Sequence, residues 1–332
     1  MHTDDIETGT LFALMVMEVR HGNLADHGNL DNAIDTYGGT PQEWIDLSTG
    51  INPVAYPTER IDPSDDHVLP RRSDLVSLEN VARSFWNVPE KAQVIATNGA
   101  SAAIAALPFL LEGKKVSIPR PTYNEHLAAF ENAGWCLDDT TFDVQVFVHP
   151  NNPTGKIWSA DAFKAPIVIV DESFGDVIPD TTLIKHSAQS SRIFIKSFGK
   201  FWGLAGLRVG FVIGADPVVS KLRELLGPWP VGGGAIKIAT KALSDKEWVA
   251  IARSRLKSDA IRLDKLMTSY AAKLVGGCDL FRLYDVTDAN LLHEKLANHH
   301  IWSRIFRYSK SYIRLGLPAP ADWTRLERAL AA

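Results

Sequence analysis

Cysteine is almost missing from this chain of 332 residues, which holds two, Cys136 and Cys278. They make no CxxC pair and exclude the disulfide framework of a small secreted domain. A reduced, cytoplasmic setting is the expectation. A basic excess is missing too. Lys and Arg number 35 against 39 Asp and Glu, a net charge of −4. That balance argues against a nucleic-acid partner and leaves room for a local cationic pocket. Long apolar runs are also absent. The longest early one, residues 11–17, follows Asp4, Asp5 and Glu7. It is too short to span a bilayer and lacks the basic start of a signal peptide, so no membrane partner is expected. Met15 and Met17 offer alternative starts, and residues 1–19 are expected to be weakly ordered. There is no internal repeat and no low-complexity tract.

What is present is an ordinary globular composition, 45% hydrophobic and 22% charged, in a length that suggests two domains. Pro53, Pro57, Pro63 and Pro70 punctuate residues 50–72, which read as extended chain. Alternation follows. A helix is predicted at 77–87 and a short strand at 94–96, and Asn98-Gly99-Ala100-Ser101 opens an Ala-rich helix to Leu111. Residues 115–118, 144–148, 167–170, 193–195 and 209–213 are short apolar runs rich in β-branched residues. Continuous runs of this kind suit strands covered on both faces. Strands interleaved with helices predict an α/β fold with a large, mostly parallel sheet. The last third reads as α+β. Ser244-Asp245-Lys246-Glu247 fits a capping box, and the long helix after it is predicted to stop at Gly276-Gly277. A strand at 280–283, a helix near 289–298, a strand near 312–315 and a helix near 323–330 complete it. The expected domains are a large one at 61–243 and a small one made of 20–60 together with 244–332.

The most informative stretch is Ser197-Phe198-Gly199-Lys200, followed by Arg208 eight residues after the lysine. A lysine just past a strand end can condense with an aldehyde if burial or a nearby cation lowers its pKa. Ser197 and Arg208 could hold a phosphate. In isolation, a surface lysine in a Gly-rich loop is the plainer reading. Three other segments shift the balance. Asp171 ends the apolar strand before Glu172 and could pair with a protonated ring nitrogen, or simply cap a helix. His149-Pro150-Asn151-Asn152-Pro153-Thr154-Gly155 is a turn after another strand. Gly99, Ala100 and Ser101 start a helix whose N–H groups suit a phosphate.

Together and in this order, with Pro121-Thr122-Tyr123 between, these segments resemble the fold-type-I pyridoxal-phosphate enzymes (the aspartate aminotransferase-like fold), in their histidinol-phosphate aminotransferase-like branch. The resemblance covers nearly everything after about residue 20. It implies pyridoxal 5'-phosphate as cofactor and no metal. Lys200 would hold the cofactor covalently and shuttle protons, Asp171 would keep the pyridine nitrogen protonated, and Tyr123 would stack on the ring. Asn152 would donate to the ring phenolate oxygen. Gly99, Ala100, Ser101, Ser197 and Arg208 would cradle the phosphate. Arg314, in Tyr312-Ile313-Arg314-Leu315-Gly316, matches the arginine for the substrate carboxylate, and a surface arginine on a strand is the alternative. A homodimer with shared active sites is implied as well. Three departures stand out: Phe174 where a tyrosine is common, Gly199 where Ser or Thr often precedes the lysine, and Leu69-Pro70 where Tyr-Pro is common.

The N-terminal half narrows the reading. Asp26-His27-Gly28-Asn29-Leu30-Asp31, Tyr37-Gly38-Gly39 and the run from Trp44 through Asn52-Pro53 look like the start of the threonine-phosphate decarboxylases of cobalamin biosynthesis. These make (R)-1-amino-2-propanol O-phosphate from L-threonine O-3-phosphate. Such a substrate carries two anionic groups, so a second cation is expected; Arg304 is the candidate for the phosphate, and Asn52 a further substrate contact. An exposed arginine in a basic run with Arg307 and Lys310 is an equal reading of Arg304. The alternative activity is an aminotransferase acting on histidinol phosphate or a related amino acid. A non-catalytic, cofactor-dependent regulator is disfavoured by the intact Lys200, Asp171 and Arg208 set. A dinucleotide-binding dehydrogenase is disfavoured because no GxGxxG follows the first strand.

Overall fold

The computed structural model describes residues 30–58 and 67–332. The Asp26-His27-Gly28-Asn29 segment and the expectation for residues 1–19 lie outside the described residues. Along the chain come α1 (Leu30–Tyr37), β1 (Ile45–Asp46), α2 (Arg72–Phe85), β2 (Gln93–Asn98), α3 (Gly99–Leu110), β3 (Lys115–Ser117) and α4 (Asn124–Asn132). Then follow β4 (Cys136–Leu137), β5 (Val144–Val148), β6 (Ile167–Asp171), β7 (Arg192–Ser197), β8 (Val209–Gly214), α5 (Pro217–Leu226), α6 (Gly233–Ser244) and α7 (Lys246–Ser269). The last part holds β9 (Lys273–Cys278), β10 (Phe281–Asp285), α8 (Ala289–Ala297), β11 (Ile301–Trp302), β12 (Arg304–Phe306), β13 (Ser309–Gly316) and α9 (Trp323–Ala331). No helix among the described residues is long and apolar enough to cross a membrane. The chain forms two compact units, residues 54–256 and residues 30–53 with 257–332.

The first unit is built on a seven-stranded sheet in the order β2-β8-β7-β6-β5-β3-β4. Every pairing from β4 across to β7 is parallel, and β8 runs antiparallel to both β7 and β2. The apolar runs in the sequence are these strands: β5 and β8 are buried along their whole length, as expected of strands covered on both faces. β8 lies against the start of α3 so closely that a Cβ on Gly210 would come within 2.4 Å of the Ala100 backbone nitrogen. Only glycine permits that approach. Helix α2 is tied to the sheet by the buried carboxylate of Glu79. It accepts from Ala96 N–H and pairs with Arg223 at 3.1 Å.

The second unit holds the antiparallel sheet β12-β13-β10-β9 and the short parallel pair β1 and β11. Tyr37, Trp44 and Trp302 meet edge to face, and His300 stacks on Trp44 with centroids 4.8 Å apart. Asp288 caps α8 by accepting from the N–H groups of Asn290 and Leu291.

Two local expectations are corrected. The cap of α7 is Asp245, whose carboxylate accepts from Trp248 N–H at 3.0 Å. Ser244 is still inside α6, where its hydroxyl bonds the Thr240 carbonyl instead. Helix α7 ends at Ser269, not at the glycine pair. Ala271 takes a left-handed φ of 62°, and Ala272 N–H closes on the Met267 carbonyl, a helix stop made without glycine. Gly276 and Gly277 belong to β9, where a Cβ on Gly277 would strike the Phe281 carbonyl of the next strand at 2.3 Å.

Candidate active site

The carboxyl ends of β5, β6 and β7 in the first unit open onto a pocket, the usual place for a ligand in a parallel sheet. Asp171, the last residue of β6, is 2% exposed. Its Oδ2 accepts from His126 Nε2 at 2.9 Å, and its Oδ1 from the Ser173 backbone at 2.9 Å and hydroxyl at 2.5 Å. Burial alone would push this carboxyl up. The hydrogen bond and charge of His126 and the bonds from Ser173 more than offset it and hold the group below the usual carboxylate range. The site therefore keeps a buried anion ready for a cationic partner.

Opposite lies an anion cradle. The N-terminus of α3 presents Gly99, Ala100 and Ser101 to the pocket, and free N–H groups there attract negative charge. Arg208, held in a left-handed conformation at φ 53°, reaches Ser101 Oγ at 3.4 Å. Gly99 has φ +75°, and a Cβ on it would lie 2.7 Å from the Arg208 guanidinium. Glycine at 99 thus lets the guanidinium lie across the helix start. Ser197 and Lys200, at and after the end of β7, line the same pocket. The Lys200 Nζ is 5.5 Å from the centroid of Phe174. The absence of a serine at 199 has a steric cause, since a Cβ there would sit 2.8 Å from Ala205 Cα.

Tyr123 and Asn152 complete the wall. Their loops are joined by Asn151, whose amide donates to the Pro121 carbonyl and to Thr154 and whose Oδ1 accepts from Thr122. His149 opens the turn that carries Asn151 and Asn152 and is buried. Its Nδ1 accepts from Trp158 N–H, so Nε2 carries the proton and donates to the Thr181 carbonyl. Burial lowers its pKa and keeps the ring neutral. All nine residues expected to bind a cofactor, Gly99, Ala100, Ser101, Tyr123, Asn152, Asp171, Ser197, Lys200 and Arg208, line this one pocket.

Arg304, Arg314 and Asn52 belong to the second unit. Arg304 and Arg314 are direct partners across β12 and β13. Arg314 is buried and donates to the Ser48 carbonyl. Burial, and then the charge of Arg304, bring its pKa down to about 10. Asn52 is buried. The sequence reading missed His126 and Ser173. The available signal for His126 was its place three residues after Tyr123 at the start of α4, which sets both near one face of one turn.

The chain belongs to the aminotransferase class I and II family, whose model matches residues 42–138 and 137–332. Within that family it is similar to a threonine-phosphate decarboxylase of Sinorhizobium sp, 35% identical over 324 residues that span 92% of this chain and 96% of that protein. A threonine-phosphate decarboxylase of Pseudomonas aeruginosa is 36% identical over 328 residues, 92% of this chain and 97% of the other. The fold matches the crystal structure of histidinol-phosphate aminotransferase from Sinorhizobium meliloti in complex with pyridoxal-5'-phosphate. The TM-score is 0.79 at 15% identity, covering 90% of this chain and 92% of that one.

Proposed function

We propose that this chain is a pyridoxal 5'-phosphate-dependent lyase that converts L-threonine O-3-phosphate to (R)-1-amino-2-propanol O-phosphate in cobalamin biosynthesis. The observation that carries the reading is the convergence in one pocket of a lysine, a buried carboxylate held ionised, and a helix-terminus anion cradle. The preference for decarboxylation rests on the two decarboxylase relatives. A homodimer with shared active sites and a cytoplasmic location are proposed from the family resemblance and the scarcity of cysteine.

The residues present fit the cofactor. Its phosphate matches the α3 N-terminus with Ser101, Ser197 and Arg208, where Gly99 and Gly210 leave room that a Cβ would fill. Its ring nitrogen matches Asp171, its ring face Tyr123, its phenolate oxygen Asn152, and its aldehyde carbon Lys200. When bound, pyridoxal phosphate supplies the sink that accepts the electron pair left on the substrate Cα when the bond to the carboxylate breaks. Asp171 holds the proton on the ring nitrogen, which a buried anion does better than a neutral group. Lys200 would hold the cofactor through Nζ, and the same amine would carry the proton that returns to the substrate Cα. Arg314 binds the carboxylate and Arg304 the substrate phosphate, with Asn52 as a further polar contact to the substrate. Two guanidiniums directly opposite in a sheet repel. Their pairing supports a ligand that brings two anionic groups.

The test incubates the purified protein and pyridoxal phosphate with L-threonine O-3-phosphate and measures CO₂ and aminopropanol phosphate. Histidinol phosphate with 2-oxoglutarate is the comparison. Stoichiometric CO₂ and aminopropanol phosphate are expected. Amino transfer from histidinol phosphate without CO₂ release would replace this reading by the aminotransferase one.

A further inference from the structure

Behind the pocket, β6 and β7 carry a second set of buried charges that no cofactor contact uses. Neighbours on an extended strand project to opposite faces, so Glu172 turns away from Asp171, and Lys196 from Ser197. Asp171 lies opposite Ile195 in the parallel register, which sets Glu172 beside Lys196. Lys196 Nζ is 2.7 Å from Glu172 Oε2 and 3.7 Å from Asp176 Oδ1, and all three residues are buried. The Glu172 carboxylate is fully engaged: Oε2 also accepts from Thr182 at 2.6 Å, and Oε1 from Leu183 N–H at 2.7 Å. Asp176 Oδ1 accepts from Trp86 Nε1 at 2.7 Å, and its Oδ2 is buried without a hydrogen-bond partner. A Cβ on Gly175 would stand 3.2 Å from Glu172 Cβ, closer than ordinary contact.

The three groups do not share their charge equally. Burial would lower the Lys196 ammonium, but Glu172 and Asp176 hold it above its ordinary value. Burial would raise Glu172, but Lys196 holds it low. Burial pushes Asp176 up. The cluster thus sets one ammonium against two buried carboxyl groups, with Glu172 the nearer. Apolar residues of the same volume often serve stability as well as a buried ion pair or better. A role in fixing geometry therefore explains this cluster better than stability does. Its position says which geometry. Glu172 N–H donates to the Ile195 carbonyl at 2.9 Å, and His149 N–H to the Asp171 carbonyl at 2.7 Å. These are the last rungs of the sheet before the chain turns into the pocket.

We propose that the Lys196–Glu172 ion pair is a positioning clamp that fixes the carboxyl ends of β6 and β7, and with them the aim of Asp171 and Ser197 into the pocket. The clamp deepens the reading of that pocket as a pyridoxal-phosphate site and rests on it. Glu172→Gln removes the charge and keeps the shape, while Lys196→Met removes the ammonium. In the cofactor-free full-length chain, each variant speeds amide exchange across residues 168–174 by about tenfold or more. In the holoenzyme, each raises the dissociation constant of pyridoxal phosphate by about tenfold or more and moves the pH midpoint of its absorbance. Leu326→Ala, a core truncation in the other unit, supplies a control of matched thermal destabilisation with neither change. Wild-type exchange, or faster exchange with cofactor affinity within about twofold and an unmoved midpoint, overturns the clamp. Insolubility of Lys196→Met leaves the isosteric Glu172→Gln to decide. A wild-type chain that takes up no pyridoxal phosphate refutes the proposed function and not the clamp, which the exchange measurement then decides.

Discussion

Two side chains carry most of the proposed chemistry. Lys200→Ala removes the only amine at the pocket end of β7 proposed to bind the cofactor covalently. Borohydride treatment of the wild-type holoenzyme should fix the cofactor on the peptide containing residue 200, and the variant should show no such adduct and almost no turnover. An adduct mapped to a different lysine would refute the assignment. Asp171→Asn tests the buried anion. The amide keeps the bonds with Ser173 and His126 in outline but loses the charge that holds a ring proton. The variant should still bind cofactor covalently and should lose much of its turnover, and wild-type activity would mean another acid does this work. The spacing of His126 from Tyr123 was a weak signal in the sequence, because a lone histidine in an amphipathic helix also looks like any polar surface residue. Its role follows from where the start of α4 meets the end of β6. Lys196 and Glu172 left only a faint trace, as charges just beyond the apolar runs 193–195 and 167–170.

Among the elements, the hairpin of β12 and β13 holds Arg304 against Arg314. A charge-assisted bond to a phosphate contributes roughly 1.5–3 kcal/mol. Arg304→Ala should therefore weaken use of threonine phosphate by about tenfold or more, with little effect on unphosphorylated threonine. An equal loss on both substrates would show that Arg304 does not read the phosphate. The strands were the elements most readable from sequence, because a parallel strand covered on both faces leaves an unbroken apolar run. β6 fills the predicted residues 167–170 and adds Asp171. Ends were less readable. Ala271 adopts the left-handed turn that glycine usually makes, while the visible glycine pair serves the close contact between β9 and β10. The N-cap of α7 fell one residue from the expected serine because Ser244 is still inside α6, its hydroxyl turned to the Thr240 carbonyl, which leaves Asp245 at the cap. The pocket residues were readable as a set of five short segments, each ambiguous alone, and the buried residues that brace them were not.

At the scale of the whole molecule, stability should fall in two stages as pH drops. His149 is held below its ordinary value of 6.5 by burial. His293, bonded to Ser303, is brought down to about 4 by burial and by Arg304. Above pH 6.5 both states leave these rings neutral. Between 6.5 and 4 the unfolded chain takes up protons that the folded chain refuses, so stability declines. Asp171 and Glu172, held low in the fold, stabilise it above their unfolded values, and that contribution is lost as pH falls through their folded ones. Melting temperature followed from pH 8 to 3 should show both declines, and His293→Gln should make the first shallower, with His149 still contributing, while leaving the second. A variant profile parallel to wild type throughout would sink the assignment of His293. The back-to-back placement of Asp171 and Glu172 bears on how this chain can change over time. Deleting one residue within β6 would exchange the two carboxylates, turning the ligand anion into the sheet interior and the ion-pair partner into the pocket. Lineages descended from this chain should therefore keep the length of β6 through Glu172 invariant.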